Sequence, residues 1–129
     1  LNKKSGLLGV SGLSSDDRDL KAAAAKGDEQ CLIARNILAY QIKKYIGAYT
    51  AALGGVDVIV FTGGVGENQT GLRGDVCKEL AFMGIELDEE ANKVRGEEKV
   101  VTTENSKIKV VVIPTDEEFM IASDTMNLI

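Results

Sequence analysis

The chain has 129 residues, 44% hydrophobic and 27% charged, enough for one sizeable core, and it is read as a single domain over 1–129. A net charge of −5 and a pI near 4.8 exclude nonspecific nucleic-acid binding through phosphate neutralisation, and no apolar run approaches the roughly 18 residues of a membrane span. Histidine is absent, which removes the usual general base and zinc ligand, and Cys31 and Cys77 sit in apolar helical patterns that read as free buried thiols.

The chain opens at Leu1 on a lysine pair, Lys3-Lys4, without an initiator Met or a signal segment, and is read as a soluble fragment of something longer. Residues Leu1 to Leu13 hold three glycines and two Ser-Gly turn signals, which predict an irregular or short-strand lead-in. Ser14-Ser15-Asp16-Asp17 then caps a short helix through the alanines after Leu20, stopped by Gly27. From Asp28 an apolar stripe of Cys31, Ala34, Ile37, Leu38, Ile42, Tyr45, Tyr49 and Leu53 recurs at three- and four-residue steps. One long helix follows, in which Gly47 marks close packing of a neighbour, and Gly54-Gly55 ends it.

Val56 to Phe61, uninterrupted in its apolar residues from Val58 onward, reads as a parallel strand buried on both faces that empties into a glycine-rich turn, Gly63-Gly64-Val65-Gly66. Asn68 or Thr70 caps the next helix, through Phe82, with Leu72, Val76, Leu80 and Cys77 inward and Gly84 as its stop. Ile85-Glu86-Leu87 is a short strand, Asp88 to Lys99 a surface turn and loop, and Val100 to Thr103 an edge strand. Ile108 to Ile113 is a second central strand closed by Pro114, and Asp116-Glu117-Glu118 starts a last helix with Phe119, Ile121, Ala122, Thr125 and Met126 inward. Helices alternating with strands predict a three-layered α/β fold with parallel crossovers.

Three stretches can carry chemistry, and each has a structural alternative. Glycines at the carboxyl end of a buried strand suit a ligand-binding turn, but tight strand-to-helix turns need glycine in any case. The run is neither a P-loop, since no Lys-Ser/Thr follows, nor the dinucleotide fingerprint. Glu67-Asn68 behind it suits a ribose or base edge better than phosphate, which a carboxylate repels. Arg18 among Asp16, Asp17 and Asp19 is either a surface ion pair in a capping segment or a guanidinium held ready for a ligand. Glu117 either complements the helix dipole or reaches Mg²⁺ and its water shell.

Five stretches in order carry a family resemblance: Lys3 to Gly12, Ser14-Ser15-Asp16, Lys43 to Tyr49, Phe61 to Asn68, and Ile113 to Glu118. Together they resemble the carboxy-terminal third of the acetate kinase family. The resemblance implies membership of the actin-like ATPase superfamily, with this chain most of the C-terminal nucleotide-binding domain, an incomplete ribonuclease H-like domain, of a two-domain cytoplasmic kinase. It implies reversible phosphoryl transfer from ATP to acetate, with ATP/ADP and Mg²⁺ as cofactors, and a homodimer to which the long helix contributes. By the same carry-over, Gly64, Val65, Gly66, Glu67 and Asn68 line the nucleoside end of ATP, Asp16, Asp17 and Arg18 border the adenosine, and Glu117 serves the metal. The family often places Phe where this chain has Asp17, so stacking on adenine is weakened there. The carboxylate pocket and the family's catalytic residues lie upstream, leaving none here, so the chain alone is expected to be inactive. A propionate or butyrate kinase, or a noncatalytic actin-like association module, would fit the same stretches.

Overall fold

The structure is a computed structural model that describes residues 4–128. Six helices and three strands run in the order α1 (Gly6–Ser11), α2 (Asp17–Ala24), α3 (Glu29–Leu53), β1 (Val58–Phe61), α4 (Gly63–Asn68), α5 (Thr70–Glu79), β2 (Lys99–Val100), β3 (Lys109–Val112) and α6 (Glu117–Asn127). Single 3₁₀ turns follow α5 at Ala81–Met83 and precede β2 at Ala91–Lys93.

The sheet has the order β1-β3-β2, with β3 parallel to β1 and antiparallel to β2. Parallel pairing sets Val58 opposite Lys109 and Phe61 opposite Val112. A parallel partner requires a crossover, which α4, α5 and the segment through β2 supply. Ile59, Phe61, Val110 and Val112 point to one face and pack on Leu72, Val76 and Cys77 of α5 and on Leu80 just after it. Leu38, Ala39, Ile42 and Ile46 of α3 close that core from the side. Full burial of each such aliphatic side chain contributes about 1.5–3 kcal/mol. A second, smaller core joins Leu20 of α2 to Cys31 and Ala34 of α3, with Leu7 and Val10 of α1 against it.

Several sequence expectations are corrected. The lead-in is helical: α1 spans Gly6–Ser11 and ends at Gly12, whose positive φ closes it with an N–H to the Leu8 carbonyl. β1 is half-buried rather than buried on both faces, because Val58 and Val60 are 49% and 47% exposed, so helices cover one face of the sheet along β1 where three layers are expected. Ile85-Glu86-Leu87 forms only an isolated bridge between Leu87 and Thr102. The edge strand is shorter than expected and begins one residue earlier, at Lys99–Val100, although the next N–H, of Val101, still donates to the Val110 carbonyl of β3 at 2.8 Å.

The long helix lies where its stripe predicts, capped by the Asp28 carboxylate on the Cys31 N–H at 2.9 Å. Its far half is less buried than that stripe implies: Tyr45, Tyr49 and Leu53 are exposed, and a side chain at Gly47 would meet nothing within 4 Å, so no neighbour packs there. Likewise α6 forms where expected but buries no residue, and Phe119, Ile121 and Met126 face solvent. Cys31 and Cys77 are free and buried, as read, and burial pushes the Cys77 thiol up to about 11. No helix among the described residues is long and apolar enough to cross a membrane.

Candidate functional site

The glycine run after β1 folds as the short helix α4 rather than a loop, and two of its glycines are required by geometry. Gly63 takes a φ of +68° at the strand-to-helix corner. Gly66 lies so near the end of β1 that a Cβ would come 3.1 Å from the Phe61 carbonyl carbon. A side chain at Gly64 would instead enter open space.

Between α2 and α4 lies a groove of ≈ 660 Å³. Ser15, Asp16, Asp17 and Arg18 line it from one side and Gly64, Val65, Asn68 and Gln69 from the other, with Leu7 of α1 adding an apolar wall. The structure therefore brings the two separately chosen stretches into one concave surface. Leu7, Ser15 and Gln69 had no distinguishing signal in the sequence.

Asp16 does two jobs. Its Oδ1 accepts the Arg18 N–H at 2.8 Å, which caps α2, and both carboxylate oxygens accept from the Arg18 Nε at 3.1 Å. A further Arg18 guanidinium nitrogen donates to Oδ2 at 2.5 Å. Hydrogen bonding from the Arg18 side chain, and then from its backbone, lowers the Asp16 pKa to about 2. The guanidinium is thereby fixed at the groove while most of it remains exposed.

Asp17 is turned differently. Only 4% exposed, it accepts from the Arg35 Nε at 2.9 Å through Oδ1, which pins α2 to α3. Its Oδ2 is buried with no hydrogen-bond partner among the described residues. Asn68 donates from Nδ2 to the Gly64 carbonyl at 3.1 Å, folding its side chain back along α4.

Gly66 and Glu67 are not among the groove-lining residues; they belong to its support. Glu67 is 9% exposed, and its Oε1 accepts both the Thr115 N–H at 2.8 Å and the Thr115 hydroxyl at 2.9 Å. Those two bonds, the backbone one first, hold the carboxyl below its ordinary pKa.

Beneath α4 sits Arg73, a residue for which the sequence reading assigned no role. It is fully buried and uses five hydrogen bonds of 2.7–2.9 Å: to the Gly66 and Glu67 carbonyls, to the Asn92 carbonyl and Oδ1, and to the Val94 carbonyl. Burial lowers its pKa, but an arginine stays charged. A cation placed on the last carbonyls of α4 suits the negative end of the helix. The signal was available: Arg73 falls on the apolar side of α5, one residue from Leu72 and three from Val76.

Glu117 lies outside the groove, in a separate cleft of ≈ 390 Å³ formed with Thr115, Asp116, Met120 and Ile121. Asp116 commits a carboxylate oxygen to the Phe119 N–H at 3.0 Å as the cap of α6. Among the described residues no group of three or more His, Cys, Asp or Glu side chains could hold a metal.

An apolar-walled groove with a fixed guanidinium, a carboxylate pair and an amide, near an acidic turn at the same edge of the sheet, is the kind of concave surface at which α/β proteins place small-molecule ligands. The acetokinase family's sequence profile matches residues 1–123, and the chain belongs to that family. It is 64% identical to an acetate kinase of Bacteroides thetaiotaomicron, an alignment that covers all of this chain and 33% of the relative. Among solved structures, the acetate kinase of Porphyromonas gingivalis superposes with a TM-score of 0.90 at 57% identity, over 98% of this chain and 32% of that one. A propionate kinase of Francisella tularensis superposes with a TM-score of 0.88 at 39% identity, over 100% of this chain and 33% of that one. The chain thus spans about a third of the length of the relatives it matches.

Proposed function

We propose that these residues form the nucleoside-binding wall of an acetate kinase, within a C-terminal, ribonuclease H-like nucleotide-binding domain of a two-domain cytoplasmic enzyme. In that enzyme the terminal phosphoryl group of ATP passes to an acetate oxygen, so that the bond to ADP breaks as the bond to the carboxylate forms. The observation that carries this reading is the groove between α2 and α4, where Asp16, Asp17 and Arg18 meet Gly64, Val65 and Asn68. Leu7 and Val65 offer apolar contact to a base, the Arg18 guanidinium offers a flat cation and donors, and Asp16 and Asn68 offer polar groups to a sugar.

The residues present fit Mg²⁺ as well. Glu117 offers one exposed carboxylate, and Mg²⁺ is commonly held by one or two carboxylates with the remainder from water and nucleotide phosphates. When bound, the ion supplies charge neutralisation to the phosphates. Phosphoryl transfer depends on positioning and charge more than on protein covalency, so the lack of a histidine or an activated nucleophile here is compatible with the reading. The acyl pocket and the groups that orient the transferred phosphate are assigned to sequence outside these 129 residues, and the chain by itself is inactive. Its coverage of about a third of its relatives supports that assignment. The exposed Tyr40, Tyr45, Tyr49 and Leu53 along α3 support a contribution of this helix to a homodimer.

Titration of the chain with ADP, followed by amide NMR, is expected to shift Arg18, Gly64 and Asn68. A noncatalytic association module predicts no shift at these positions, and that outcome would sink the nucleotide reading. Supplied with ATP, Mg²⁺ and acetate, the chain alone is expected to accumulate no acetyl phosphate. The propionate kinase likeness keeps a second reading, the same transfer to propionate; butyrate stands with it as a related substrate, and the two differ from acetate in the acyl pocket, not in the groove.

A further inference from the structure

The groove and the acidic cleft share no lining residue, yet one side chain spans them. Glu67 belongs to α4, whose Gly64, Val65 and Asn68 face the groove, and its carboxylate is spent on Thr115, the residue directly before Asp116 and Glu117. Both ends of Glu67 are fixed. Its carbonyl accepts from buried Arg73 at 2.8 Å, while Oε1 takes two donors from Thr115. The backbone reinforces the alignment, because the Ile113 N–H donates to the Phe61 carbonyl at 3.0 Å and carries the β1–β3 pairing up to both turns. With Oε1 engaged by Thr115 and the residue outside the groove's lining, this side chain acts on the turn rather than on a ligand in the groove.

We infer that Glu67 is a positioning residue: it couples the nucleoside groove to the Thr115-Asp116-Glu117 turn, setting the distance between the nucleoside end and the metal–phosphate end of one bound nucleotide. This rests on the reading of the groove as a nucleoside site. The coupling acts on relative placement, so its loss separates two affinities that an intact strut moves together. An adenosine molecule uses only the groove, whereas ADP with Mg²⁺ must reach both ends. A coupling of ordinary size is worth about fivefold or more in affinity.

The test uses the 129-residue chain and the variants Glu67→Ala, Glu67→Gln and Thr115→Val, with the last two guarding against misfolding of the first. Without ligand, hydrogen exchange at the Thr115 amide is expected to be slow in the parent, fast in Glu67→Ala and slowed again in Glu67→Gln, whose amide oxygen still accepts. Equal exchange in parent and Glu67→Ala would overturn the strut itself, whatever the groove binds. With ligand, adenosine is expected to shift Gly64 and Asn68 in every variant and to carry the shift to Thr115 and Glu117 only in the parent and Glu67→Gln. Affinity for ADP with Mg²⁺ should fall about fivefold or more in Glu67→Ala while adenosine affinity changes by less. Shifts at Thr115 and Glu117 that persist in Glu67→Ala, or equal losses for the two ligands, would overturn the coupling. Slow Thr115 exchange with no adenosine shift anywhere in the parent would overturn the groove reading, and the coupling with it, while leaving the strut as a structural bond.

Discussion

Helices α2 and α6 each begin with an aspartate whose carboxylate accepts a main-chain N–H, from Arg18 in one and from Phe119 in the other, yet α2 buries Asp17 and Leu20 while α6 buries no residue. Their caps are alike in chemistry and differ in what lies behind them. Leu20 reaches a closed core with Cys31 and Ala34, and Asp17 is tied to Arg35, so the groove side of the site is anchored through α3. The acidic turn before α6 takes its place from β3 and from Glu67. A cap fixes where a helix starts; burial fixes how firmly the charged groups at that start are held in space.

The sharpest way to break this contrast is to remove the groove's hidden support. Arg73→Met leaves the carbonyls of Gly66, Glu67, Asn92 and Val94 without this donor, the buried ones of Glu67 and Asn92 at about 1–3 kcal/mol each and the part-buried ones at less, and a net loss of about 4 kcal/mol is expected in urea denaturation. A loss below about 1 kcal/mol would mean that water replaces the guanidinium and that α4 does not depend on it. Next in size is the pair Leu20→Ala and Phe119→Ala. Leu20 is fully buried and its truncation should cost about 3 kcal/mol, whereas Phe119, 66% exposed, should change stability by no more than about 0.5 kcal/mol. Similar costs at the two sites would show that α6 packs as firmly as α2.

The smallest effect is read with acid. Asp16 and Glu67 both have folded pKa values below their ordinary ones, so each contributes stability that is present above the ordinary value and lost as pH falls through the folded one. For Asp16 that window runs from 3.8 down to about 2, and for Glu67 it opens below 4.5. Glu67→Gln is expected to flatten the stability loss below pH 4.5, and Asp16→Asn to flatten only the lower limb; an unchanged acid profile in both would show that neither carboxylate is held as described.

What was legible in the sequence follows the physics of each signal. The α3 stripe, the apolar runs of β1 and β3, the capping run before α2 and the acidic start of α6 depend on residues close in the chain, and they formed where expected. Burial depends on distant partners, and there the reading overshot: a pattern such as Phe119, Ile121 and Met126 states which face is apolar but not whether anything covers it. Glycines misled twice, at α1 and α4, because each helix is short enough for a single turn of packing to outweigh propensity. The union of Arg18 with the Gly64–Asn68 helix was legible only through the family resemblance, since nothing local links residues so far apart. Arg73 was given no role, because arginines are mostly exposed, although its position beside Leu72 and three residues before Val76 placed it inward.

The half-bare β1 has a colloidal consequence. Among the described residues it is the last strand on its side of the sheet, so one row of backbone groups has no neighbouring strand, and Val58 and Val60 present an oily face beside it. Such an edge is a template for another copy, and the net charge of −5 keeps copies apart. As pH approaches the pI near 4.8 that repulsion vanishes, so the chain's shelf life in solution is governed by its acidic surface as much as by its folding free energy.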